Sequence, residues 1–324
     1  YITAVPAQMN QGNHWYRGTA DAISQNLNLL ELSDAAYTLI LSGDHIYRMD
    51  YEALLKSHKQ SEADVTITCM EVPKEEASAF GIVGVDEDMR IKAFEEKPEN
   101  PSSVPGNPDK CLASMGLYVF SSALLKQALL DDQENPDSGH DFGHDILPKL
   151  LDTHNIRAYQ FDSEQGRVTP DRYWRDVGTL DAYYQANMDL LKPVPPLDLH
   201  QTDWPIRTYQ PQSPPARVVH GRSGAKAVFI DSILTNGVVI SGGSVHHSIL
   251  FHGVFVDDKA TVSHSILFDG VYVGEGAQLQ NCIVDKNVKI PVGERIGFDP
   301  EEDSRRFTIS DEGIVVVPEA YVFE

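Results

Sequence analysis

The strongest constraint on this chain is a repeat in its last third. Ser232-Ile233-Leu234, Ser248-Ile249-Leu250, Ser265-Ile266-Leu267 and Cys282-Ile283-Val284 recur, with their isoleucines 16, 17 and 17 residues apart. A second phase, Ile240, Val256, Val273 and Ile290, keeps the same steps. Gly253, Gly270, Gly274 and Gly276 lie between the short apolar runs. A repeat this short cannot carry a helix in every unit. Each unit buries its apolar face only by stacking on the next. The steps fall near three hexapeptides with a residue lost. We expect a parallel β-helix with the isoleucines stacked inward. The alternative is a β-sandwich, against which two phases holding register over four repeats argue.

Upstream, Pro193, Pro195, Pro196, Pro205, Pro211, Pro214 and Pro215 exclude a long helix or central strand between about Lys192 and Arg217. This segment reads as a semi-rigid linker. Before it, strand and helix patterns alternate. Apolar runs at 37–43, 65–70 and 115–120 read as buried strands, and 82–85 with 91–94 as a hairpin around Asp86-Glu87-Asp88. Helices are expected from Ala20 to Leu32, Tyr51 to Lys59, after Ser122, and from Leu180 to Leu191 behind Thr179 as N-cap. The alternation points to a mostly parallel α/β sheet. The opening Tyr1-Ile2-Thr3-Ala4-Val5 reads as the end of a strand, as though an amino-terminal part were absent.

The formal charge of −22 argues against nucleic acid or an anionic membrane as partner, because both demand a basic footprint. An anionic substrate would need a metal or a few placed Lys and Arg side chains. Cys69, Cys111 and Cys282 have no metal-type spacing and fit a reducing compartment. No run approaches the ~20 apolar residues that span a bilayer. A cytoplasmic location is expected.

Asp44 follows the first strand, where open α/β sheets bind ligands, with Gly43 allowing close backbone approach. Asp176, in Tyr-Trp-Arg-Asp-Val-Gly-Thr, is freed from capping by Thr179. Two distant carboxylates suit Mg²⁺, which takes one or two carboxylates plus phosphate oxygens and water. The alternatives are a turn aspartate at 44 and local pairing of Asp176 with Arg175 or Arg172. Lys97, in Phe-Glu-Glu-Lys-Pro, could meet a phosphate, and Glu96 sugar hydroxyls; a solvated charge run is the alternative. Tyr16, ahead of Gly18-Thr19 and a helix start, could pack on a flat ring or anchor a core. His140-Asp141-Phe142-Gly143-His144 invites a zinc reading, but helix capping by Ser138 or Asp141 explains the residue types better. His246, His247, His252 and His264 read as β-helix surface.

In this order these pieces resemble the ADP-glucose pyrophosphorylases (glucose-1-phosphate adenylyltransferases) of bacterial glycogen synthesis. The matching stretches are Trp15 to Ala22, Ser42 to Tyr47, Ala77 to Gly81, Phe94 to Pro98, Ala113 to Phe120, Tyr173 to Thr179, Trp204 to Tyr209 and Ser310 to Val316. The resemblance implies a Rossmann-like, GT-A-like nucleotidyltransferase domain over 1–192 lacking its amino-terminal part, a linker over 193–217, and a left-handed β-helix over 218–324. It implies that ATP and glucose 1-phosphate give ADP-glucose and pyrophosphate, usually in a homotetramer. It assigns Mg²⁺ to Asp44 and Asp176, the sugar phosphate to Lys97, and the sugar or nucleotide pocket to Glu96, Ser114, Gly81 and Tyr16. Arg305 and Arg306 remain as candidate anion contacts, while Ile309 and Leu32 stand where some relatives carry basic residues. Rival readings are a nucleotidyltransferase using UTP, dTTP or GTP, a non-catalytic scaffold subunit, and a β-helix acyltransferase.

The sequence departs from the family in one respect. The family's Gly-Gly-x-Gly-x-Arg-Leu loop, which cradles the triphosphate, occurs nowhere in residues 1–324. Losing one charge-stabilising donor costs roughly 10²–10³ in turnover. The isolated chain is therefore expected to release no pyrophosphate from ATP and glucose 1-phosphate. Clear turnover would refute this.

Overall fold

The computed structural model describes residues 2–7, 9, 15–161 and 172–323. The chain divides into two compact units, Tyr1–Gly43 with Met49–Pro170, and Asp44–Arg48 with Asp171–Glu324. The strands ahead of the proline-rich segment are β1 (Tyr37–Ile40), β2 (His45–Tyr47), β3 (Val65–Pro73), β4 (Gly81–Val85), β5 (Ile91–Glu96), β6 (Lys110–Ser121), β7 (Ile156–Gln160) and β8 (Trp174–Asp176). The helices are α1 (Thr19–Ser24), α2 (Leu27–Ser33), α3 (Tyr51–Gln60), α4 (Ser122–Gln133), α5 (Leu147–Leu150), α6 (Leu180–Asp189) and α7 (Pro300–Arg306).

In the first unit the sheet order is β5-β4-β6-β3-β7, with β1 also on β6. Val65, Ile67 and Cys69 of β3 and Leu112 and Phe120 of β6 pack with Leu125 and Leu129 of α4 and with Phe142, Ile146 and Leu147. The sheet is not mostly parallel. β1, β3 and β4 all pair with β6 antiparallel, and among the described residues of this sheet only β3–β7 is parallel. β1 and β3 do run in the same direction, as the alternation suggests. The twelve-residue β6 lies between them and converts both contacts to antiparallel ones.

The helix expected over 20–32 is two helices. At the break, Asn26 Nδ2 donates to the Ala22 carbonyl (2.8 Å) and to Tyr16 Oη (2.9 Å). The Asn26 amide turns to Ile23 instead (2.9 Å). A short polar side chain that bonds its own backbone competes with helix propagation in this way. Residues 2–7 form no strand, and Tyr1 lies outside the described residues, so the expected strand end is not seen.

After α6 no helix or strand occurs before Arg217. Beyond it the chain coils into three parallel sheets. Ile233, Ile249, Ile266 and Ile283 align in one, and Ile240, Val256, Val273 and Ile290 in another. The third aligns Val245, Val262, Leu279 and Ile296. Left-handed residues turn the corners. One row is Asp231, His247, His264 and Asn281, with φ of 46°, 44°, 47° and 48°. Asp, Asn and His tolerate that conformation best among non-glycine residues. The two histidine rings of this row lie 5.0 Å apart.

The isoleucine row departs from expectation. Leu250, Leu267 and Val284 fill the β-helix interior. Ile266 and Ile283 pack outward with Tyr184 and Met188 of α6 and with Ile314. Successive strand residues point to opposite faces, so Ile-Leu can send only one of its two side chains inward. Helix α6 covers the other row, and Tyr184 Oη donates to the His264 carbonyl (2.8 Å). Leu267→Ala should therefore cost about 2–5 kcal/mol in urea unfolding, and the half-buried Ile233→Ala less than about 1.5 kcal/mol. Equal costs would contradict the interior row.

Candidate active site

Asp44 and Asp176 are brought together by a two-stranded ribbon. β2 pairs with β8 antiparallel, His45 opposite Asp176, Ile46 opposite Arg175 and Tyr47 opposite Trp174. The Val177 amide extends the pairing by donating to the Asp44 carbonyl (2.9 Å). Both carboxylates thus sit at one end of the ribbon. Ligand atoms of Asp44, His45 and Asp176 lie within 4.8 Å of one another. Both aspartates are exposed and His45 is half-buried, with its ring edge-on to Trp174 at 5.1 Å. His45 Nε2 is 3.7 Å from Asp44 Oδ1. Asp176 Oδ1 accepts from the Gly178 amide (2.8 Å). A side chain at Gly43 would meet nothing within 4 Å, so packing does not require glycine there.

Local pairing of Asp176 with Arg175 is not what forms. Arg175 Nη2 lies 2.8 Å from Asp189 Oδ2, and its Nε donates to Tyr173 Oη (2.9 Å). Tyr173 donates to the same carboxylate (3.0 Å), and Lys192 Nζ lies 2.6 Å from Asp189 Oδ1. Burial opposes the Asp189 charge, but Lys192, Tyr173 and Arg175 outweigh it and hold the carboxyl below its ordinary range. Thr179 caps α6 by accepting from the Ala182 amide (3.1 Å), leaving Asp176 to the ribbon's end. Two solvent-facing carboxylates with few internal partners suit a hard divalent ion that keeps water and phosphate oxygens in its shell. His45 is a softer donor and suits such an ion less well.

The other predicted residues lie in the first unit. Gly81 opens β4 opposite Glu96, the last residue of β5. A Cβ on Gly81 would come within 2.9 Å of Phe94 and 3.0 Å of the Glu96 carboxylate, so only glycine fits without displacement. Ile82 pairs with Ala113, which places Ser114 next along β6. Lys97 is exposed in a left-handed conformation (φ 46°), its amide donating to the Phe80 carbonyl (3.1 Å). For a non-glycine residue this is uncommon and tends to mark ligand-binding loops. The β3–β6 register shifts between Ile67 and Cys69, and opposite the shift Gly116 has φ 67°. There Ser114 Oγ accepts from the Gly116 amide (3.3 Å). Gly81, Glu96 and Ser114 are thus gathered by sheet register. Tyr16 bonds Asn26 instead.

The 15–21 segment docks on residues 139–142. The Ala20 amide donates to the His140 carbonyl (2.9 Å), and Thr19 Oγ1 to Asp141 Oδ2 (2.9 Å). A Cβ on Gly18 would lie 2.3 Å from the His140 carbonyl oxygen. That bond spends the Ala20 amide, a helix-end donor, on the protein's own backbone. Among the described residues no three-ligand group forms around His140 or His144. His140 Nδ1 meets buried Asp132 (2.7 Å), and Asp141 caps the 142–146 turn through the Gly143 (2.8 Å) and His144 (3.0 Å) amides.

Sequence reasoning missed His45 as third member of the carboxylate cluster, although it adjoins Asp44. It also missed Tyr118. Burial pushes its hydroxyl up to about 12 against a hydrogen bond with Ser114, and the Asp141 and Glu96 charges add to the shift. Ser114 and Tyr118, four residues apart on β6, fall on one face by strand alternation.

A family model described as nucleotidyl transferase matches residues 2–193, and one described as GlmU-like C-terminal hexapeptide matches 214–317. The fold is accordingly a nucleotidyl transferase α/β unit with a left-handed hexapeptide β-helix. The chain is 57% identical over 323 residues to glucose-1-phosphate adenylyltransferase 2 of Vibrio parahaemolyticus, covering 100% of this chain and 80% of that protein. The Vibrio cholerae protein of the same name is 55% identical, with 100% and 79% covered. Glucose-1-phosphate adenylyltransferase of Methylobacillus flagellatus is 45% identical, with 98% and 74% covered.

Proposed function

The chain belongs to the glucose-1-phosphate adenylyltransferase family of nucleotidyl transferases, and from that premise we propose that it serves the conversion of ATP and glucose 1-phosphate to ADP-glucose and pyrophosphate. The observation that carries the reading is the convergence of Asp44 and Asp176, remote in sequence, at one end of the β2–β8 ribbon. In the reaction a phosphate oxygen of the sugar attacks the α-phosphorus of ATP, the bond to the β-phosphate oxygen breaks, and pyrophosphate leaves. Positioning and charge stabilisation supply most of the acceleration in such transfers.

A protein of net charge −22 repels these phosphates, so the site must supply cations locally. Asp44 and Asp176 would hold Mg²⁺, which when bound neutralises phosphate charge. Lys97 takes the phosphate of glucose 1-phosphate as a point charge. Glu96 accepts from sugar hydroxyls, and Gly81, Ser114 and Tyr16 line the sugar or nucleotide pocket. Nucleotidyl transfer is assigned to 1–192 and assembly into a homotetramer to 218–324, with 193–217 joining them, in the cytoplasm. Without the Gly-rich loop in residues 1–324, these residues by themselves supply the metal and sugar-phosphate half of the chemistry.

Calorimetric titration with glucose 1-phosphate in Mg²⁺ tests the assignment of Lys97. A hydrogen bond to a charged group is worth ~1.5–3 kcal/mol, so Lys97→Ala should weaken binding about 10–100-fold. Unchanged affinity would remove Lys97 from the site.

A further inference from the structure

The second unit contains a buried arginine that the proposed chemistry does not use. Arg48, directly after β2, is 7% exposed. Arginine is rarely buried this far unless its guanidinium is engaged. Here Nη1 donates to the Gln201 side chain and Nη2 to the Asp198 carbonyl. Both acceptors belong to the proline-rich segment. That stretch is itself fixed: Leu197 is 3% exposed, and the Asp198 carboxylate accepts from the His200 amide (2.8 Å).

Among the described residues β2 pairs with no strand other than β8, over three residue pairs. An isolated two-stranded ribbon is marginally stable at best. This one is tied at both strands. Arg175 anchors β8 to Asp189 on α6, and Arg48 anchors β2 to residues 198 and 201. Asp44 and Arg48 flank the three-residue β2, one directly before it and one directly after. Where Arg48 is held therefore sets where Asp44 stands relative to Asp176.

We propose that Arg48 is a positioning residue for the divalent ion, and that the segment 198–201 acts through it as a buttress of the metal site. The proposal rests on the reading of Asp44 and Asp176 as metal ligands. It gives the proline-rich segment a role beyond joining two folded parts. A planar two-pronged donor suits the task, because it fixes direction as well as distance.

The test uses the full chain and Mn²⁺ alone as probe, followed by electron paramagnetic resonance. Groups that orient metal ligands typically cost 10–100-fold in affinity when removed, so Arg48→Met should weaken Mn²⁺ binding by about tenfold with near-UV circular dichroism intact. Arg48→Lys, which keeps the charge and one donor, should recover part of that loss. A purely structural arginine would lower the melting temperature and leave Mn²⁺ affinity unchanged, and that result overturns the proposal. Should Arg48→Met fail to fold, Gln201→Ala removes one acceptor only. A loss of about threefold is then expected, and no loss overturns the proposal. Asp176→Asn separates the two levels. Wild-type Mn²⁺ binding in that variant would overturn the metal reading itself, and the role of Arg48 with it.

Discussion

Three antiparallel residue pairs between β2 and β8 carry the chemistry proposed for this protein. Neither carboxylate is placed by burial, since both are exposed. Their position comes from backbone pairing and from what holds the two strands. Asp176 inherits its place from β8, whose Arg175 is fixed by the buried Asp189 at the end of α6. That helix rests in turn on the outward isoleucine row of the β-helix. The exposed carboxylate pair is thus referred, through one helix, to the most regular part of the chain.

Much of this was legible in the sequence because regular repetition writes itself plainly. The 16- and 17-residue steps specify the partners of Ile249, Ile266 and Ile283. They did not fix the facing. In a two-residue strand both side chains are apolar when one lines the interior and the other meets a helix, so Ile-Leu carries no signal of which is which. The antiparallel insertion of β6 was hidden for a related reason. A strand buried on both faces reads as a continuous apolar run whichever way its neighbours point.

The candidate site divides along the same line. The meeting of Asp44 with Asp176 was readable because each adjoins a strand end with turn chemistry beside it. Tyr118 was not, although alternation puts residues 114 and 118 on one face of β6; nothing in an apolar run marks its hydroxyl as bonded to Ser114. Nor was Arg48, since nothing local marks one arginine in Ile-Tyr-Arg-Met-Asp as buried. Its burial is set by Asp198 and Gln201, about 150 residues on. Long-range polar contacts of this kind have no period and leave no trace in a single sequence. The histidines of 140–144 show the converse. Their spacing suggests a metal, and the structure spends them on Asp132 and Asp145.

The measurement that bears most directly on this account is a double-mutant cycle on Mn²⁺ affinity, using Asp44→Asn, Asp176→Asn and the pair together. Two ligands of one ion act as a unit, so each single change should remove most of the binding and the pair little more. Wild-type affinity in the doubly substituted chain would contradict the account.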